Sequence, residues 1–342
     1  MYQPLLDKIK EKIAHWANHS LSYARKTILI NSVLFGMQSF WGASVLLPKG
    51  VIKKINKLCK DFLWGIHDGN RRHVFMGWKA LSNPKREGGI GIKEVLSWNR
   101  SQMMKWIWKL IHRPNSIWAR WVYHYILKGT DFWQTTTSIS HSWYWNNVVK
   151  MKDFLVAQAG SSSLAVGWLH DCSIHRQFNT GLMYQLLRQR GDLLSWSSLV
   201  HDNACIPKHS FLGMLVMVNK LPTIDNLVLR GIHLVNRCVL CCQHSEDIQH
   251  LFFLCPYSAQ VWTTVAAWLH TTSSTSLVQV TSWFQDHIRG RSFLTGRQRA
   301  GLMATIYFLW KERNSRIFRG VLSDPEALCF QIKFAVCKRL SM

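Results

Sequence analysis

Apolar positions recur at helical spacing along much of the chain. Leu5, Leu6, Ile9, Ile13 and Trp16 predict one amphipathic helix. Ile28, Leu29 and Val33, with Ser22 placed to cap them, predict a second that runs towards Gly36. Pro48 then breaks the chain. Beyond it Val51, Ile52, Ile55, Leu58, Cys59, Phe62 and Leu63 form a strong stripe, with Lys53, Lys54, Lys57 and Lys60 off it. Gly65, Asp68, Gly69 and Asn70 predict a turn at its end. Asn83-Pro84-Lys85-Arg86-Glu87-Gly88-Gly89-Ile90-Gly91-Ile92 reads as a loop that leads into a short extended piece. Its glycines lack the spacing of a phosphate-binding loop. Trp98 to Ile111 is helical again, and Pro114 opens a helix carrying Ile117, Trp118, Trp121 and Tyr125. Residues 129–195 are poorer in pattern, with Thr135-Thr136-Thr137-Ser138 and Gly160-Ser161-Ser162-Ser163 as linker candidates. Towards the end, Leu302, Ile306, Leu309, Trp310 and Ile317 share one helical face.

The chain has 342 residues, 48% of them apolar, enough for a core in two or three modules and too many for a disordered or collagen-like chain. The longest apolar stretch, Ala300 to Trp310, is too short to cross a bilayer. Met1-Tyr2-Gln3-Pro4 does not open a secretory signal. The expectation is an intracellular protein, in nucleus or cytoplasm, with no membrane partner and its nine cysteines reduced.

Charge sharpens this picture. Forty-two Lys and Arg against 18 Asp and Glu give a net charge of +24. Residues 1–128 carry +16 and residues 261–342 carry +7, so the middle is neutral and the two ends are basic. Such ends attract polyphosphate backbones in a salt-dependent way. Lys53, Lys54, Lys57 and Lys60 are the candidate contacts at one end, and Arg313 and Arg316 at the other. Arg313 falls inside the apolar face of its helix, which leaves two accounts. Either the helix ends or bends there, as Asn314 and Ser315 suggest, or the guanidinium is buried against a carboxylate. Trp98, Trp106, Trp108, Trp118 and Trp121 interleave with Lys105, Lys109, Arg113 and Arg120. A stacking platform for bases would use such a pattern, but a helical hairpin with tryptophan in its core and cations around it explains it better.

The sharpest chemical signal lies in residues 238–255, where Cys238, Cys241, His250 and Cys255 follow the pattern C-x2-C-x8-H-x4-C. Two thiolates from one tight turn and two ligands from a second segment suit tetrahedral Zn²⁺. Cys242 in place of Cys241, or His244 in place of His250, would give alternative registers. Four protein ligands leave no open position, so this zinc would fold its module rather than catalyse. Pro256 suits the first turn of a helix through Val261, Trp262, Val265, Trp268 and Leu269.

These residues carry a resemblance. Trp196 to Trp262 resembles the zinc-binding domain in reverse transcriptases of plant non-LTR retrotransposons. The matching pieces are Ile206-Pro207-Lys208-His209-Ser210-Phe211, Leu221-Pro222-Thr223-Ile224-Asp225-Asn226-Leu227, Arg230-Gly231-Ile232, the Cys238 and Cys241 pair, and His250-Leu251-Phe252-Phe253-Leu254-Cys255. Leu21 to Arg25, Phe62-Leu63-Trp64-Gly65, Pro84 to Ile92 and Asn99 are similar to the segment after the polymerase core of the same polyproteins. Trp310-Lys311-Glu312-Arg313-Asn314 with Ile317-Phe318 is similar to the stretch after the zinc module. Departures are Cys242 and the run Met214 to Val218, neither at a ligand position.

The resulting expectation is a mainly α protein. Residues 1–128 form a basic helical region, 129–195 a connecting region, 196–270 a zinc module, and 271–342 a basic helical segment. The polymerase of the resembled family needs paired Asp residues for two Mg²⁺ ions. This chain has no Asp-Asp dipeptide, and its one adjacent acid pair, Glu246-Asp247, lies in the zinc loop. The expected activity is therefore zinc binding and non-specific binding of RNA or DNA, not catalysis. The resemblance implies a reverse-transcriptase chain in trans as a further partner. A protein–protein adaptor and a decayed relic without selected function are the alternatives.

Overall fold

The computed structural model describes residues 2–17, 19, 21–65, 74–290 and 292–341. Among these, seventeen α-helices and one short hairpin, Ser173–Ile174 with Gln177–Phe178, account for the regular structure beside a few 3-10 and π turns. The protein is mainly α. Asp68, Gly69, Asn70 and Arg291 fall outside the described residues.

The chain divides into two compact units. The first comprises residues 1–21, 26–71 and 92–191, and the second residues 22–25, 72–91 and 192–342.

In the first unit the helix Lys49–Trp64 starts after Pro48 and stops at Gly65, whose φ of 66° suits a glycine. It buries Ile52, Ile55, Cys59, Phe62 and Leu63, and leaves Lys53, Lys54 and Lys57 exposed and Lys60 half-buried. The helix Val95–His112 lies at the centre of this unit and packs on the helices Phe35–Gly42, Lys49–Trp64, Trp143–Ala159 and Thr180–Leu187. Asn99 is buried on it for a reason. Its Oδ1 accepts from Leu47 N at 2.7 Å, and its Nδ2 donates to Gly42 O and Val45 O, both at 2.9 Å, which satisfies the loop after Gly42. Trp108 is buried, and Trp106 and Trp118 pack against the same core with ring centroids 5.0 Å apart. Lys109 and Arg113 lie over the rings of Trp106 and Trp108. Of the five interleaved tryptophans, Trp108 is buried, Trp98, Trp106 and Trp118 are partly buried, and Trp121 is half-exposed.

The weakly patterned stretch 129–195 supplies helices to this core. Trp143–Ala159 ends on Gly160 at φ 93°, and Ser161 at once caps Ser162–Asp171 by accepting from Leu164 N. The serine-rich tetrad is a turn between two packed helices.

The second unit is organised on the 27-residue helix Phe293–Arg319, capped by Ser292. It packs on the helices Pro207–Met217, Pro256–Leu269 and Pro325–Leu340. Gly301 lets one of these crossings close: a Cβ there would sit 2.4 Å from Leu269 Cδ1. Leu302, Ile306 and Leu309 are buried as their spacing predicts. The expected end or bend near Arg313 does not occur. The helix continues for six residues to Arg319 and stops at Gly320 with φ 65°.

Candidate metal centre

Two short segments of the second unit bring four ligand atoms together. Cys238 to Cys242 form a tight turn in which Cys242 N donates to Cys238 O at 2.8 Å, and Cys238 N donates to His244 O at 2.7 Å. The second segment is the π turn His250–Leu254, closed by Cys255 N donating to His250 O at 2.7 Å. Asp247 fixes its start, accepting from His250 N at 2.7 Å. Pro256 then opens the helix Pro256–Leu269, which buries Val261, Trp262, Val265 and Leu269. Pro256 thus ends the ligand turn, and the buried helix behind it anchors Cys255.

One ligand atom each from Cys238, Cys241, His250 and Cys255 lies within 4.8 Å of all the others. Cys238 Sγ is 4.0 Å from Cys255 Sγ, and Cys241 Sγ is 3.4 Å from His250 Nε2. Zn–S bonds of about 2.3 Å and Zn–N bonds of about 2.0 Å in a tetrahedron put such atoms roughly 3.5–3.8 Å apart, so the donor set fits Zn²⁺ with shifts of about 1 Å or less. A disulfide would need an S–S distance near 2.05 Å, far below the 4.0 Å between Cys238 and Cys255, and all three cysteines are free thiols. Cys242 and His244 are not in the cluster: both side chains are exposed.

The electrostatics favour a ligand form at Cys255 and His250 and oppose it at Cys238. In the coupled sulfur pair, the hydrogen bond from Cys238 lowers the Cys255 thiol, and the same contact together with burial raises Cys238. Burial, then the neighbouring His244 ring, lowers His250 and so favours the neutral imidazole that a metal requires.

Arg313 and Arg316, expected at a nucleic-acid surface, are placed elsewhere. Arg313 is 4% exposed and forks onto Glu246, which is fully buried: Nη2 donates to Oε1 at 2.7 Å and Nε to Oε2 at 3.1 Å. Glu246 Oε1 also accepts from Ile224 N at 3.0 Å. Arg316 pairs with Glu312 at 2.7 Å, donates to Leu240 O inside the cysteine turn at 3.0 Å, and lies over the Tyr257 ring. Both guanidiniums clamp the metal-binding loop to the long helix, because a buried carboxylate needs a bidentate partner and a turn carbonyl needs a donor. Sequence spacing put Arg313 on the buried face but could not name Glu246, 67 residues away.

Comparison with known proteins agrees with this geometry. Residues 178–262 match the family of zinc-binding domains in reverse transcriptase. The chain is 29% identical over 115 residues to a putative ribonuclease H protein of Arabidopsis thaliana, across 34% of this chain and 18% of that protein. It is 20% identical over 110 residues to an uncharacterized mitochondrial protein of Arabidopsis thaliana, across 32% of this chain and 71% of that one. Among the described residues no helix is long and apolar enough to cross a membrane. Residues 178–262 thus match the zinc-binding domain of reverse transcriptase, the four clustered ligands lie within that match, and the chain is similar over about a third of its length to each of two Arabidopsis thaliana proteins.

Proposed function

We propose that the chain is a zinc-holding, nucleic-acid-binding part of a retrotransposon reverse transcriptase, which supports a polymerase and does not itself polymerise. The observation that carries this reading is the cluster of Cys238, Cys241, His250 and Cys255 within 4.8 Å. Three thiolates and one imidazole complete a tetrahedron and leave no position for substrate, so the metal's chemistry is to hold the loop. A zinc with three thiolates and a neutral imidazole carries a net charge of −1, which makes the centre itself a poor phosphate magnet. Affinity for RNA or DNA then comes from cations elsewhere, bound without base readout.

Lys53, Lys54, Lys57 and Lys60 are the first of these. They leave the apolar face of Lys49–Trp64 free to pack and project from the opposite side. Changing all four to Gln should lower the slope of log affinity against log salt by about 3, at roughly 0.7 per phosphate contact on a single strand. An unchanged slope in a filter-binding titration would mean that these lysines only solvate their helix. On a primed RNA template with Mg²⁺, the pure chain should incorporate no nucleotide. Incorporation that co-purifies with the chain through two columns would overturn the supporting role.

A further inference from the structure

A cleft of about 990 Å³ lies in the second unit, beside the turn Lys85–Glu87, the segment 195–204 and the start of the helix Phe293–Arg319. Four cations line it, Lys85, Arg86, Arg289 and Arg299, against the carboxylate of Asp202. Arg299 is committed to the fold. It is 8% exposed, donates from Nη1 to Asp202 Oδ2 at 2.7 Å and to Gly290 O at 3.0 Å, and from Nη2 to Ile288 O at 2.8 Å. Lys85, Arg86 and Arg289 are exposed, and among the described residues they form no ion pair.

The glycine cluster explains how two of them arrive there. A Cβ on Gly89 would lie 2.0 Å from Asn83 O, and one on Gly88, at φ +78°, would lie 2.6 Å from Leu194 Cδ1. Arg86 O accepts from Leu194 N at 2.9 Å. The glycines let the loop lie flat on residues 194–196, which presents Lys85 and Arg86 to the cleft. Their own amides are spent within the loop: Gly88 N on Lys85 O, Gly89 N on Pro84 O and Gly91 N on Asn83 O. No backbone nest remains to cradle a single phosphate. The remaining free cation, Arg289, comes from a different segment. Phe293 lines the same cleft and is 68% exposed, an aromatic face of the kind on which an unpaired base stacks. His201 adds a neutral hydrogen-bonding group. Burial, then the nearby Lys85, pushes its pKa down to about 4, and its Nε2 is buried with no partner.

We propose that this cleft binds the backbone of a single nucleic-acid strand, with Lys85, Arg86 and Arg289 on successive phosphates and Phe293 under a base. The proposal rests on the reading that the chain binds nucleic acid. Cations from separate segments suit phosphates spaced along a strand, and the exposed ring needs a base that is not paired.

The test uses the full chain and a fluorescein-labelled oligo(dT) or oligo(U) of about twelve nucleotides, a length within the range one such groove occupies. Changing Lys85, Arg86 and Arg289 together to Gln should weaken binding at least about tenfold and lower the salt slope by about 2. Its melting temperature should match that of the parent, because the three side chains are exposed and unpaired. Phe293→Ala alone should weaken binding about fivefold or more, which keeps the proposal testable if the triple variant folds poorly. A triple variant that binds like a binding-competent parent would overturn the cleft while leaving nucleic-acid binding in place. A parent that fails to bind even at low salt removes both. If inorganic phosphate or a free mononucleotide displaces the labelled strand at concentrations comparable to unlabelled oligonucleotide, the site takes a single phosphate group and the strand is wrong.

Discussion

Chelation of zinc from the purified chain should open the cysteine turn and the exposed segment before it, residues 231–245, and loosen its contact with the second ligand turn, while most helix survives. Little apolar burial holds the first part of this stretch, residues 231–237, whereas Leu251, Phe252 and Phe253 are buried and keep the second ligand turn packed. Residues 233–237 are exposed, and the turn beyond them is held by short backbone bonds within itself, by Glu246 N donating to Asn236 Oδ1, by Arg237 Nε donating to Cys242 O, and by Arg316 donating to Leu240 O. Structural zinc sites contribute apparent binding energies of about 10–16 kcal/mol in small modules, far more than such contacts replace. Thiol reactivity reads the change directly. Cys242 and Cys337 are exposed, and the other seven cysteines are buried or partly so. A thiol reagent should therefore modify two cysteines quickly in the zinc-loaded chain and five after chelation, as Cys238, Cys241 and Cys255 become available. Circular dichroism should lose little helix, since Pro256–Leu269 keeps Val261, Trp262 and Val265 packed. Purified chain should carry about one zinc ion, and Cys241→Ser should abolish it where Cys242→Ser does not. The reverse result would shift the ligand register to Cys242.

The features legible in the sequence are those whose cause is local. The stripe from Val51 to Leu63 reads as a helix because burial and period coincide, with the lysines on the other side. The metal quartet reads because both halves are tight turns, one of four residues and one closed by the His250 O to Cys255 N bond. What stayed hidden depends on partners distant in sequence. Trp143–Ala159 buries Asn147 and Lys152 among its apolar residues, which blurs its stripe. Lys152 is tolerated inside because Nζ donates to Trp133 O at 3.0 Å and Thr135 O at 2.6 Å. No local signal announces that residues 22–25 and 72–91 cluster with 192–342. Counting charge has the same limit. The basic C-terminal run attracts a nucleic-acid reading, yet Arg299, Arg313 and Arg316 are each consumed by a carboxylate and by backbone carbonyls or a neighbouring side chain. Two exposed cations of the second unit, Lys85 and Arg86, sit instead in a loop whose glycines looked like a failed phosphate motif.

Arg313→Ala should be the most damaging single change outside the metal ligands. Glu246 is fully buried, and its two oxygens accept three hydrogen bonds, two of them from Arg313. Removing the guanidinium leaves a buried carboxylate with only the Ile224 amide, and breaking such a pair costs about 3–5 kcal/mol. At roughly 2–4 °C per kcal/mol for a unit of this size, the melting temperature should fall by about 10 °C. The loss should reach the metal loop, because Glu246 stands between the cysteine turn and His250. Zinc affinity should therefore drop in the same variant, although no ligand is touched. Arg313→Lys should recover only part of the stability, since an ammonium cannot reproduce the two-pronged contact. Replacing both partners, Arg313→Met with Glu246→Gln, should cost less than Arg313→Ala alone, because no charge is stranded. A melt of Arg313→Ala within about 0.5 kcal/mol of the parent would show that the guanidinium is a surface group, and would return Arg313 to the candidate nucleic-acid contacts.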